Sequence, residues 1–186
     1  MIRVLALLAA LVCAAPAFAQ ALPPGTDPQN TILIDTTQGR IVIKLRPDLA
    51  PKHAERIKLL AREKFYDNVP FHRVMAGFMA QTGDGQNFNG TGGSKYPQLA
   101  AEFSNVPYKR GIVGMARTSN PNSANSQFFI MLAENSGLNG QYTVVGEVVA
   151  GMDVVDKIKK APPEDRSGTV VNPDKMIKVQ VAADAK

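Results

Sequence analysis

The chain has 186 residues, 45% of them hydrophobic, which suits one domain with a sizeable buried core. Its 21 Lys and Arg against 16 Asp and Glu give a net charge of +5, but the basic residues are dispersed and no run exceeds pairs such as Lys109-Arg110 and Lys159-Lys160. A nucleic-acid footprint needs clustering on one face, so that class of partner is set aside.

Met1-Ile2-Arg3 is a short basic start, residues 4–15 form an apolar run, and Ala17-Phe18-Ala19 is a small-x-small site before Gln20. Together they read as a signal peptide over residues 1–19. The apolar run falls short of the ~20 residues needed to cross a bilayer core of about 30 Å. The expectation is therefore cleavage after Ala19, a periplasmic or secreted location, and no stable membrane association of the mature chain. Cys13, the only cysteine, lies inside the apolar run, and Val12 stands where lipoprotein signals carry Gly, Ala or Ser. The mature chain then has no thiol for a disulfide, for thiolate catalysis or for a Cys-based metal site.

Residues 20–30, with Pro23-Pro24-Gly25 and Asp27-Pro28, read as a flexible leader, and the folded domain is expected over residues 31–182. Residues 31–36 and 40–45 are β-branched runs around Thr37-Gln38-Gly39, a hairpin signature. From Pro51 to about Lys64, Ala54, Ile57, Leu60 and Ala61 mark a helical stripe, with Lys52, Glu55, Arg56, Lys58 and Arg62 on the other face. Short apolar runs follow at 71–74, 78–81, 112–116, 128–132, 144–149 and 177–181, separated by Gly, Asn and Pro. A second short helix is expected over 153–160, where Val154, Val155 and Ile158 share a face before Pro162-Pro163. The pattern predicts a mainly β domain with two helices, its strands in an antiparallel sheet or barrel and not in βαβ units.

His72-Arg73, Gly77-Phe78-Met79-Ala80-Gln81 and Ser126-Gln127-Phe128-Phe129-Ile130 set one guanidinium and two primary amides among large apolar side chains. No Cys, Ser/His/Asp set or acidic pair lies nearby. Arg73 can serve as an oriented donor or can pair at the surface with Asp67 or Glu102, and the amides of Gln81 and Gln127 suit either a bound backbone or local strand-end bonds. Gly90-Thr91-Gly92-Gly93-Ser94 lacks the Lys-Ser/Thr of a phosphate loop and reads as a groove border. His72 and His53 have no converging carboxylate or Cys spacing, so no metal and no cofactor are expected; His72 reads as structural and His53 as a surface residue of the first helix.

The run Phe71-His72-Arg73-Val74-Met75-Ala76-Gly77-Phe78-Met79-Ala80-Gln81-Thr82-Gly83-Asp84 closely resembles the core motif of the cyclophilins, the peptidyl-prolyl cis-trans isomerases. Asn89-Gly90-Thr91-Gly92-Gly93, Gly114-Met115-Ala116 and Ser126-Gln127-Phe128-Phe129-Ile130 follow in the family's order, and the similarity extends from about Thr31 to Val181. The resemblance implies a closed eight-stranded antiparallel β-barrel capped by two α-helices. It implies isomerisation of Xaa-Pro bonds, with Arg73 as the catalytic donor. Phe78, Met79, Phe129, Leu138 and Tyr142 would form a proline pocket, and Gly90, Gln81, Ala116, Arg117 and Gln127 would hold the flanking backbone. The expected partners are proline-containing polypeptides, met by a monomer that assists folding of exported proteins. A non-catalytic peptide-binding or chaperone module using the same groove is the alternative, and a small-ligand carrier with a hollow barrel is a third reading. Phe128, next to Phe129, is expected on the opposite side of its strand, in the core.

This chain departs from the family at three positions. Gly137 stands where many cyclophilins have Trp, Tyr142 where a His often sits, and Arg117 at the usual Asn. These alter the rim of the pocket, and weak cyclosporin binding is expected.

Overall fold

The computed structural model describes residues 22–185; the expected signal peptide over 1–19, its expected cleavage site and Cys13 lie outside the described residues. Pro28–Asn30 form a 3-10 turn capped by the Asp27 carboxylate, and Asn30 accepts a bond from Lys58 Nζ at 3.2 Å. The hairpin follows at once. β1 (Thr31–Thr36) pairs antiparallel with β2 (Gly39–Leu45) in a register running from Thr31 opposite Lys44 to Thr36 opposite Gly39.

The remaining strands are β3 (Val69–Pro70), β4 (Arg73–Met75), β5 (Met79–Thr82), β6 (Ile112–Met115), β7 (Phe128–Met131), β8 (Val144–Ala150) and β9 (Lys175–Val181). They join one antiparallel sheet in the order β3-β9-β1-β2-β8-β6-β7-β5-β4. This corrects the closed eight-stranded barrel: among the described residues the sheet is curled, has nine strands, and no ladder joins its two ends. The reason lies at residues 69–75. The run expected at 71–74 is a strand only from Arg73: Val69–Pro70 before it pair with β9, Arg73–Met75 pair with β5, and Phe71 and His72 lie in neither ladder. Pro70 has no N–H to continue a ladder. Between the halves, Phe71 N–H donates to Asp174 O and His72 O accepts from Val170 N–H, so the gap is spanned by single bonds to an irregular segment.

α1 (Pro51–Arg62) starts on Pro51, whose missing N–H is no loss in a first turn, and buries Ala54, Ile57, Leu60 and Ala61 against the sheet. His53 is fully buried, not at the surface as expected. The first N–H groups of a helix have no partner within it. Glu102 supplies one from a distant segment, accepting from Lys52 N–H, His53 N–H and, at 2.6 Å, His53 Nδ1. Burial pushes the His53 pKa down despite that carboxylate. α2 (Met152–Lys157) is shorter than expected and lays Val154 and Val155 on the same core.

Two apolar clusters result. The larger fills the inside of the curled sheet with Ile32, Ile34, Ile41, Ile43, Val113, Phe128, Ile130 and Val145 under both helices. The void lined by Ile32, Ile34, Ile43, Val113, Phe128 and Val145 at its centre is about 10 Å³, too small for a ligand, which counts against the hollow-barrel carrier reading. The smaller cluster, on the outer face, contains Met79, Tyr108, Phe129, Met131 and Val144, with Phe78, Leu138 and Tyr142 packed against it.

Candidate functional site

The outer face owes its pattern to strand register. Arg73 lies opposite Gln81, Gln81 opposite Phe129, and Phe129 opposite Gly114, so β4, β5, β7 and β6 set these residues in one row. Directly opposed residues share a face, and a second row on that face is Met75, Met79 and Met131. Gly114 has a steric role in the first row. A Cβ there would come within 2.5 Å of Phe129 Cζ and 2.6 Å of Tyr108 Oη, so only Gly lets both rings lie across β6. Tyr108 stacks on Phe129 at 5.8 Å between centroids, and Tyr142 meets the same ring edge-on at 5.6 Å. Phe128 points to the inner face against Tyr66, as strand alternation requires.

A cavity of about 140 Å³ opens over this row, lined by Arg73, Phe78, Met79, Gln81, Ala116, Arg117, Phe129, Leu138 and Tyr142. Phe78, Met79, Phe129, Leu138 and Tyr142 supply its apolar wall, and Arg73, Gln81 and Arg117 supply polar surface at its edge. Beside it lies a larger cavity of about 350 Å³, which shares Gln81, Ala116 and Arg117 and adds Gly90, Gln127 and the loop over 91–94. All eleven residues named from the sequence therefore line one of two adjoining cavities.

Arg73 pairs with neither carboxylate considered for it: Glu102 serves His53, and Asp67 accepts from Val179 N–H at 2.9 Å. Instead Nε donates to Ser167 O at 2.8 Å, Nη1 to Gln81 Oε1 at 3.4 Å and to Met79 Sδ at 3.9 Å, and Nη2 to Met75 Sδ at 3.2 Å. None of these partners is charged. The guanidinium is anchored without neutralising its charge, and of its five N–H groups one on Nη2 remains for a ligand. Arg117 donates to Gln141 O and Thr118 O and stacks over Tyr142 at 4.4 Å, so the rim carries a second guanidinium. Gly137 is exposed in the 3-10 turn Ser136–Leu138, at the edge where Leu138 enters the pocket.

The amides are largely committed to the protein. Gln81 Nε2 donates to Gln127 Oε1 at 2.9 Å, and Gln127 Nε2 donates to Gly90 O and Gly92 O. His72 is buried behind the glycine loop and neither ring nitrogen makes a well-formed hydrogen bond. Burial lowers its pKa, which the Asp84 charge only partly offsets. Sequence reading missed Tyr108, Met75 and Ser167. Nothing local marks Ser167, since it lies 94 residues from the arginine it holds.

Comparison with known proteins agrees with this architecture. The family described as cyclophilin type peptidyl-prolyl cis-trans isomerase/CLD matches residues 31–181. The chain is 58% identical over 170 residues to a probable peptidyl-prolyl cis-trans isomerase of Brucella suis biovar 1, covering 86% of each protein. Among solved structures it resembles a cyclophilin from Hirschia baltica, with a TM-score of 0.77, 26% identity, and coverage of 87% of this chain and 77% of that one. It also resembles a cyclophilin-type isomerase of Cryptosporidium parvum crystallised in the presence of the dipeptide Ala-Pro, with a TM-score of 0.74, 27% identity, and coverage of 81% and 98%. The chain belongs to the cyclophilin-type peptidyl-prolyl cis-trans isomerase family.

Proposed function

We propose that this cyclophilin-type peptidyl-prolyl cis-trans isomerase catalyses rotation about Xaa-Pro bonds with Arg73 as its electrostatic catalyst and the cavity around Phe129 as its proline pocket. The observation that carries the assignment is a guanidinium held by four neutral partners at the edge of a cavity walled by Phe78, Met79, Phe129, Leu138 and Tyr142. Resonance gives the Xaa-Pro amide a barrier of about 18–20 kcal/mol. Twisting the bond removes the conjugation, and nitrogen becomes pyramidal and regains a lone pair. A fixed N–H donor aimed at that nitrogen favours the twisted state over either planar one. Turnover at about 10–10³ s⁻¹ requires lowering the barrier by roughly 4–7 kcal/mol, and no bond is made or broken.

Phe129, Phe78, Met79, Leu138 and Tyr142 take the pyrrolidine ring, and the thioether of Met79 adapts to both isomers. Gln81, Gly90, Ala116, Arg117 and Gln127 border the path of the residues before proline. Replacing Arg73 with Ala should lower kcat/KM on an Ala-Pro peptide by about 10²–10³ while affinity falls much less. NMR exchange at the parent rate in a folded Arg73→Ala protein would remove the catalytic role, and a parent that bound peptide without speeding exchange would make the site a capture module.

The working location proposed is outside the cytoplasm, on exported clients and as a monomer, motivated by residues 1–19. Intact mass of the exported protein should correspond to a chain starting at Gln20, and a lipid-bearing species retaining Cys13 would overturn this.

A further inference from the structure

A hydrogen-bonded chain leads from a buried carboxylate outside the pocket to the guanidinium inside it. Asp84 is fully buried at the end of β5. Its Oδ1 accepts the backbone N–H groups of Gln86 and Asn87 at 3.1 and 2.9 Å, and its Oδ2 those of Asn89, Gly90 and Gly92 at 3.2, 2.8 and 3.0 Å. Burial alone would raise its pKa, but these bonds together hold it below the usual carboxylate range. The loop can wrap this tightly only with glycine at its crossings. A Cβ on Gly92 would lie 2.4 Å from Asp84 Oδ1, and Gly90 has φ +93° with His72 Nε2 2.9 Å from where its Cβ would be.

Wrapping the loop leaves the carbonyls of Gly90 and Gly92 facing Gln127, whose Nε2 donates to them at 2.9 and 2.8 Å. Both hydrogens of that amide nitrogen are then used, so Gln127 cannot flip, and its Oε1 must face Gln81. Gln81 in turn directs Nε2 to Gln127 at 2.9 Å and Oε1 to Arg73 Nη1 at 3.4 Å. A guanidinium only donates. With Gln81 reversed, N–H would meet N–H, and Arg73 would lose its one side-chain oxygen acceptor.

We propose that Asp84 is a positioning residue for the isomerase reaction: by gathering residues 86–92 around its carboxylate it sets the direction of the Gln127 and Gln81 amides, and through them holds an acceptor against Arg73. The proposal rests on the catalytic reading of Arg73 for its effect on rate, but not for its effect on the geometry of Arg73. Asp84→Asn has nearly the same volume yet turns an N–H₂ group toward backbone donors.

Three readouts test it on the whole mature protein. In Asp84→Asn, kcat on an Ala-Pro peptide should fall about tenfold with peptide affinity within about twofold, because a misdirected donor weakens the transition state more than the ground state. The Arg73 Nε–Hε resonance should shift. In a Gln81→Leu background, where the chain is already cut, Asp84→Asn should add no further loss of kcat. Gln127→Leu cuts the same chain but leaves the Asp84 loop bonds intact, and if Asp84→Asn does not fold it should reproduce the shift of the Arg73 resonance and the fall in kcat, with no further fall in kcat on adding it to Gln81→Leu; its affinity is left out of the comparison because Gln127 also borders the bound chain. Parent-level kcat with an unmoved Arg73 resonance, or losses that multiply in the Gln81→Leu background, would overturn the proposal. A shifted resonance in Asp84→Asn together with a fully active Arg73→Ala would keep the positioning role and remove only the catalytic one.

Discussion

The two faces of β7 are equally apolar and end in opposite states. Phe128 and Ile130 enter the inner cluster, where the helices and the far side of the sheet close over them and the void beside Phe128 is about 10 Å³. Phe129 and Met131 enter the outer cluster, which only loops cover, and a cavity of about 140 Å³ borders Phe129. The inner face must satisfy packing alone. The outer face holds Phe129 between Tyr108 and Tyr142 and keeps one side of the ring available. A strand with one wet face alternates apolar and polar residues, whereas four apolar residues in a row mark a strand covered on both sides. What makes one covered side a pocket is the Gly at 114 and the loops around Tyr108 and Leu138, which come from elsewhere in the chain.

Truncating the paired phenylalanines is the most forceful way to break this comparison. Phe128→Ala should destabilise the protein by about 3–5 kcal/mol, the range for an aromatic removed from a closed core, while the folded fraction binds peptide as before. Phe129→Ala should lose less stability, because part of the ring already faces a cavity, but should weaken peptide affinity as well as rate. Urea unfolding and calorimetric titration of both variants decide the matter; equal binding losses would mean that the faces are not functionally distinct.

A smaller effect follows from the two imidazoles, one on each side of the comparison. Burial lowers the pKa of His53 beneath α1 and of His72 behind the glycine loop below the ordinary 6.5. The unfolded chain therefore binds more protons than the folded one as pH falls through 6.5. Stability should be complete above that point and decline on the acid side of it. Depressed carboxylates at Asp84 and Glu102 extend the same trend, their contribution disappearing as pH falls below the usual carboxylate range. Urea midpoints measured from neutral to mildly acidic pH check the direction, and His72→Gln should flatten the profile less than His53→Gln if the core side dominates.

Much of the architecture was legible in the chain. The hairpin over 31–45, the helix from Pro51 and the apolar runs at 112–116, 128–132 and 144–149 depend on local period and turn chemistry, and they reappear within a residue or two of their expected ends. His53 was misjudged because its burial depends on Glu102, 49 residues away, and no helical period announces a cap supplied from that distance. The split at residues 70–73 was hidden for a similar reason: which strand each half joins is a property of β5 and β9.

The sequence by itself determined the membership of the pocket: the motif residues from Arg73 to Tyr142 are legible without any contact, since side-chain types and their order are covalent facts. Only the tertiary structure decided what those residues do to one another. Gln81 and Gln127 look like free amides in the chain, yet pairing of β5 with β7 and the loop around Asp84 commit their donors and give each a single direction. Arg73 looks able to reach a carboxylate, yet the fold places Ser167, Gln81 and Met75 around it and leaves its charge uncompensated by any of them. Hydrogen-bond direction and charge compensation depend on partners brought close by long loops, and distance along the chain carries no record of which partners those will be.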